Sequence, residues 1–128
     1  MRYGQSWENM EYFQGIDLFD SFVTSWKAEE SNLYIEGEIS IWPESKYYTK
    51  PKASEYTCYK KGVLRFMGYK NIKGLLLMSE VQPTKDPDGS TDFGNIDYFF
   101  KSENEFEIHG EFGQVLISGA EFFFEVIA

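Results

Sequence analysis

A chain of 128 residues has room for one domain, burying about two-thirds of the surface its unfolded form exposes. Its 12 Lys and Arg stand against 21 Asp and Glu, a net charge of −9 that sets aside nucleic acid as a general partner, because phosphate repels such a surface. A basic protein partner stays open, while a lone cysteine, Cys58, excludes an intramolecular disulfide and any dependence of the fold on an oxidising compartment. No apolar run reaches membrane-spanning length, and Glu8 and Glu11 lie where a secretory signal needs an apolar stretch, so the sequence reads as cytoplasmic. Aromatic residues make up 19% of the chain, with 12 Phe and 9 Tyr, a bias that favours half-buried strands.

Taken in order, the chain opens on a short helix candidate: Ser6 can cap it, Trp7 and Met10 share a face, and Gly15 can end it. Phe22, Thr24, Trp26 and Ala28 then alternate with Ser21, Val23, Ser25 and Lys27 as a strand, with Glu29 to Asn32 as its turn. The clearest strand follows. Leu33, Ile35, Gly37, Ile39 and Ile41 point one way, Tyr34, Glu36, Glu38, Ser40 and Trp42 the other. Pro43 ends it, and Gly37 inside the apolar series predicts a bulge or a close-packed neighbour.

Between Lys46 and Lys73 the charge reverses, with eight basic residues against one acid, Glu55; four basic residues against twenty acids remain elsewhere. A strand is expected from Tyr56 to Met67, Leu64 and Phe66 inward and Arg65 outward. Gly68 and Asn71 mark a turn, and Leu75 to Val81 reads as a further strand, with one buried helical turn as the lesser alternative. Gln82 to Gly94 carries the longest loop signal. Four short runs close the chain: Ile96–Phe100, Phe106–His109, Val115–Ser118 and Glu121–Val126. Ser102-Glu103-Asn104, the Gly110 and Gly113 pair and Gly119-Ala120 separate them at hairpin distances, which predicts an antiparallel meander.

Several constellations suggest chemistry, and for each a plainer reading is preferred. Asp86-Pro87-Asp88-Gly89-Ser90-Thr91-Asp92 has the oxygen density of a calcium loop but lacks the alternating acids and distal Glu of an EF-hand, so it reads as a surface turn. Glu107, His109 and Glu111 alternate on one strand, yet the third lies too far to share a metal without a neighbour's help. Cys58 has no base near it in sequence, and the only His has no recognisable nucleophile beside it. The many carboxylates admit a glycosidase-like pair, but Glu36, Glu38, Glu105, Glu107, Glu121 and Glu125 alternate with apolar residues as a solvated sheet face does. The basic segment with Tyr47, Tyr48, Tyr56, Tyr59 and Tyr69 resembles a surface for single-stranded nucleic acid; pairing with neighbouring acidic strands is preferred. No metal and no cofactor are expected.

The outward face of the clearest strand is different in kind. Tyr34 and Trp42 flank Glu36 and Glu38, and large aromatics beside acids suit a protein interface, where aromatics anchor and acids steer a basic partner. Against this stands a covered face, with Tyr34 and Trp42 in the core.

The order of Asp20-Ser21 leading into Phe22–Trp26, the alternating strand Leu33–Ile41, Leu64-Arg65-Phe66-Met67-Gly68-Tyr69, and Phe106-Glu107-Ile108 followed by Gly113–Gly119 resembles small β domains of bacterial polymorphic-toxin loci, among them immunity proteins. Such chains often carry His just before the Asp-Ser pair, where this one has Phe19. The resemblance implies a non-enzymatic inhibitor that binds and blocks a toxin domain.

The sequence thus predicts one all-β domain of about seven or eight antiparallel strands, in a sandwich or strongly curved meander sheet, with one short N-terminal helix. Its expected role is a cytoplasmic protein-binding domain for a basic partner, through Tyr34, Glu36, Glu38 and Trp42. The alternative is a small-ligand-binding β domain with an aromatic-lined interior.

Overall fold

The computed structural model describes residues 4–51, 53, 57–87 and 89–127. It is all-β, as expected, with its strands in antiparallel sheets. In chain order the strands are β1 (Gly4–Ser6), β2 (Ile16–Glu29), β3 (Asn32–Ile41), β4 (Cys58–Met67), β5 (Asn71–Lys73), β6 (Thr84–Lys85), β7 (Thr91–Asp92), β8 (Tyr98–Ser102), β9 (Glu105–Gly110), β10 (Gly113–Ser118) and β11 (Glu121–Val126). Two sheets form a sandwich: β1-β8-β9-β10-β5 in one layer, β11-β4-β3-β2 in the other, while β6 and β7 make a small ribbon.

The expected N-terminal helix is two 3-10 turns, Trp7–Asn9 and Glu11–Phe13. Its apolar residues explain the form. Trp7, Met10 and Phe13 recur every third position and all three are buried, the period of a 3-10 helix, whose side chains eclipse at i and i+3. Gly15, at φ +74°, ends the segment as expected.

The β3 alternation holds along its length. Leu33, Ile35, Ile39 and Ile41 are buried on the inner face, and the strand stops before Pro43. Phe22 carbonyl packs directly on Gly37, where a Cβ has no room. Beside it β2 departs from simple alternation. Its register against β3 shifts between Asp17 and Phe22 and again between Val23 and Ser25. The second shift inserts Thr24, so Phe22 pairs with outward Glu38 while Trp26 pairs with inward Ile35. Phe22 and Trp26, expected on one face, therefore lie on opposite faces.

The first shift is held by side chains. Ser21 hydroxyl donates to Asp17 carbonyl (2.8 Å) and accepts from the Ser40 amide (3.0 Å), and Asn95 donates to Ser21 carbonyl (2.8 Å). Ser40 and Tyr59 hydroxyls both donate to Asp20 Oδ2, at 3.1 and 3.2 Å. The Asp20-Ser21 pair thus supplies the hydrogen bonds that a strand with surplus residues loses from its ladder.

β4 follows the expected strand, Leu64 and Phe66 inward; Tyr56, where that strand was to begin, lies outside the described residues. The strand expected over Leu75 to Val81 is absent. The ladder comes earlier, at β5, and Met78–Glu80 forms a 3-10 turn. Gly74, at φ +85° with Gln114 carbonyl against its Cα, turns the chain off the sheet. The extended residues after it cap the inner layer through Trp26, whose indole N–H donates to Leu76 carbonyl (2.7 Å).

The C-terminal meander is real for β8, β9 and β10, but β11 leaves it. Gly119-Ala120, expected as a hairpin turn, is a corner at which the chain crosses to the opposite layer and pairs with β4. The alternation in Glu121–Val126 suits either sheet; what decides is the apolar face, which fills the interior beside Phe66. Phe66 lies at ring-centroid distances of 5.7, 5.3 and 5.0 Å from Phe99, Phe106 and Phe122. Trp26 with Phe93 and Phe112 forms a second aromatic group. Ring packs on ring through the interior.

The stretch from Gln82 to Gly94 is a hairpin rather than an open loop. The amide of Asp86 donates to Ser90 carbonyl and that of Gly89 to Asp86 carbonyl, both at 2.9 Å, and its far end is tied to β2 through Phe93 and Val23 (2.8 Å). Asp88 lies outside the described residues. Thermal melts recorded with calcium and with chelator are expected to coincide. A rise of several degrees in calcium would make this hairpin a metal site.

Candidate functional site

The outward face of the four-stranded sheet carries the residues singled out in the sequence. Tyr34, Glu36 and Glu38 project from β3 between β2 and β4: Tyr34 opposite Lys27 and Arg65, Glu36 opposite Ser25 and Val63, Glu38 opposite Phe22 and Lys61. Trp42 follows just past the strand's end, held by its amide on Gly15 carbonyl (2.8 Å), with its side chain 45% exposed. Tyr34 is half-buried under Lys27, whose ammonium sits 5.7 Å from the ring centroid. The face stays open to solvent at Glu38 and Lys61.

Not all four residues come together. Eight positions along a strand separate Tyr34 from Trp42, about 27 Å at roughly 3.4 Å per residue, so the two aromatics mark opposite ends of the face. Glu36 accepts from Ser25 hydroxyl (3.1 Å), which holds it near the sheet. The face also carries rings that sequence reading missed. Phe22 packs on Tyr59 at 5.7 Å, beside Glu38, and Phe123 on β11 stands 42% exposed. Alternation placed Phe22 with Trp26; only the insertion at Thr24 turns it outward. Ser40, on the same face, is buried because Asp20, Ser21 and Tyr59 close over it.

Charge on this face is mixed. Glu36 and Glu38 form an acidic centre, with Lys27 on one flank and Lys61 and Arg65 on the other; Arg65 reaches Glu125 at 3.4 Å. The face is therefore acidic at its centre and basic on both flanks, within a chain of net charge −9.

No family model, no curated protein and no solved structure matches this chain.

The remaining sequence candidates separate. Glu107 Oε2 and His109 Nε2 meet at 2.7 Å on the outer face of the five-stranded sheet, with Tyr98 ring 4.8 Å from the imidazole. Glu111 lies apart, in the β9–β10 turn beside Gly94. Among the described residues no group of three or more His, Cys, Asp and Glu side chains gathers as metal ligands would. Cys58 is buried on the inner face opposite Ile41, its sulfur 3.8 Å from Thr49 hydroxyl. No described helix is long and apolar enough to cross a membrane.

Proposed function

We propose that this domain is a non-enzymatic, cytoplasmic protein-binding module that neutralises a basic partner by occupying it, in the manner of an immunity protein acting on a toxin domain. The observation that carries the reading is the face of β3: two large aromatics, one half-buried and one 45% exposed, bracket exposed carboxylate on a sheet surface open to solvent. A face that is only solvated has little reason to hold such area, and aromatic anchors with a polar, solvent-accessible rim are what binding surfaces use. The resemblance to toxin-locus domains supplies the partner class. The alternative, a carrier with an aromatic-lined interior, has no observation of its own, since the aromatic interior is occupied by its own rings.

Co-expression with the protein encoded directly upstream tests the reading. Growth arrest by that protein, relieved by this chain and not by its Tyr34→Ala, Trp42→Ala double variant, is the expected result. Absence of arrest, or full relief by the double variant, overturns it.

A further inference from the structure

β11 is an edge strand whose ladder partner among the described residues is β4. The amide of Ile127 bonds Lys61 carbonyl directly across that ladder, at 2.8 Å. Antiparallel pairs alternate between bonded and unbonded, so Phe123 and Glu125 also turn their main-chain groups toward β4. Phe122 and Phe124 then turn theirs away from it. Among the described residues these outward groups find no ladder, turn or side-chain partner.

Along this edge run two grooves of about 510 and 640 Å³ that share Glu11 and Tyr12 and together follow β11 from Gly119 to Phe124. Tyr12, 49% exposed, rises between them as a saddle, its ring 5.4 Å from Phe122. The floor of the first groove is apolar, with Met10, Phe106 and Phe122. Its rim is acidic: Glu11, Glu103, Glu105 and Glu121 against Lys101. The second groove ends at the turn after β3, where the Ser45 amide bonds Trp42 carbonyl (3.0 Å).

We propose that this trough receives an extended, basic segment of a protein partner, added as a further strand beside β11. Main-chain groups of Phe122 and Phe124 bond the incoming backbone, and its alternate Lys or Arg side chains reach the rim carboxylates. Charge complementarity selects the occupant, because four carboxylates around an apolar floor reject an acidic segment and attract a cationic one. The proposal stands on the β11 edge and does not require the β3 face to bind.

The test uses a peptide of alternating arginine and valine as the probe, with a glutamate–valine peptide as comparison, on the full chain. Hydrogen exchange in the free protein is expected to be fast at the Phe122 and Phe124 amides and slow at Phe123 and Glu125. The basic peptide should protect Phe122 and Phe124. Its affinity should fall roughly tenfold in the Glu103→Lys, Glu121→Lys double variant, and also as salt rises from about 0.01 to 0.15 M. Glu36→Gln with Glu38→Gln should leave the affinity unchanged, which separates this site from the β3 face. Equal binding of the acidic peptide, binding without protection at Phe122 and Phe124, or no binding overturns the proposal. So does concentration-dependent protection in the free protein, which would make the occupant a second copy of this chain.

Discussion

Replacing Phe66 with alanine is expected to destabilise the domain by about 3–5 kcal/mol, measured by urea or guanidinium unfolding. The side chain is fully buried near the C-terminal end of β4 and meets rings from both layers, Phe99 and Phe106 across the sandwich and Phe122 from the adjacent strand. Its loss opens a void that four elements would have to close together. Rigid neighbours in β8, β9 and β11 hold their positions by main-chain pairing, so collapse is incomplete and the cavity cost adds to the lost transfer energy. Phe123→Ala, on the exposed side of the same sheet, should change stability by less than about 0.5 kcal/mol. A loss at Phe66 no greater than at Phe123 would contradict the packed cluster.

The second large effect concerns binding. Trp42→Ala should cost about 2 kcal/mol or more of affinity for a basic partner, because it removes a large exposed ring at one end of the face. Glu36→Gln and Glu38→Gln should act differently. Their main effect should be slower association and a flatter salt dependence, with dissociation little changed. Lys27 and Lys61 beside these acids already temper the local field, which bounds the rate effect. Stopped-flow association at several salt concentrations separates the two behaviours. Affinity unmoved by Trp42→Ala would remove this face as the interface.

Much of the fold was legible because one physical rule, alternation, acts over strands that bury one face. β3 reads correctly along its length, since Leu33 through Ile41 face a filled interior. β9 and β10 read correctly for the same reason. The rule fails where a residue is surplus to the ladder. Nothing in Phe22-Val23-Thr24-Ser25-Trp26 marks Thr24 as the insertion; it is set by Phe22 carbonyl seated on Gly37 across the strand, a tertiary contact. The glycine in β3 was the visible half of that contact. Likewise the β11 crossing depends on which interior has space for Phe122, and Gly119-Ala120 serves a corner as well as a hairpin. The helix signal at the start rested on Trp7 and Met10 three apart, a spacing that a 3-10 helix shares with an α-helix. The candidate site divides the same way. Exposed acid on β3 was predictable, but the ring pair of Phe22 and Tyr59 beside it, and the main-chain edge of β11, exist only after folding.

The crossing of β11 also bears on how the chain folds. The hairpin of β2 and β3, and then β4, can assemble from neighbouring sequence, and so can β8, β9 and β10. Until Glu121–Val126 arrives, β4 has one side unpaired and Phe66 lacks Phe122. Pairing β11 with β4 closes a long loop, an entropic cost met before the contact forms, so folding is expected to be slow, as stopped-flow refolding would show. During that interval Gly62–Met67 is a bare sheet edge next to apolar surface, open to pairing with another unfinished chain. Final yield in refolding is then governed by protein concentration, and dilution favours the β11 strand over its intermolecular competitors.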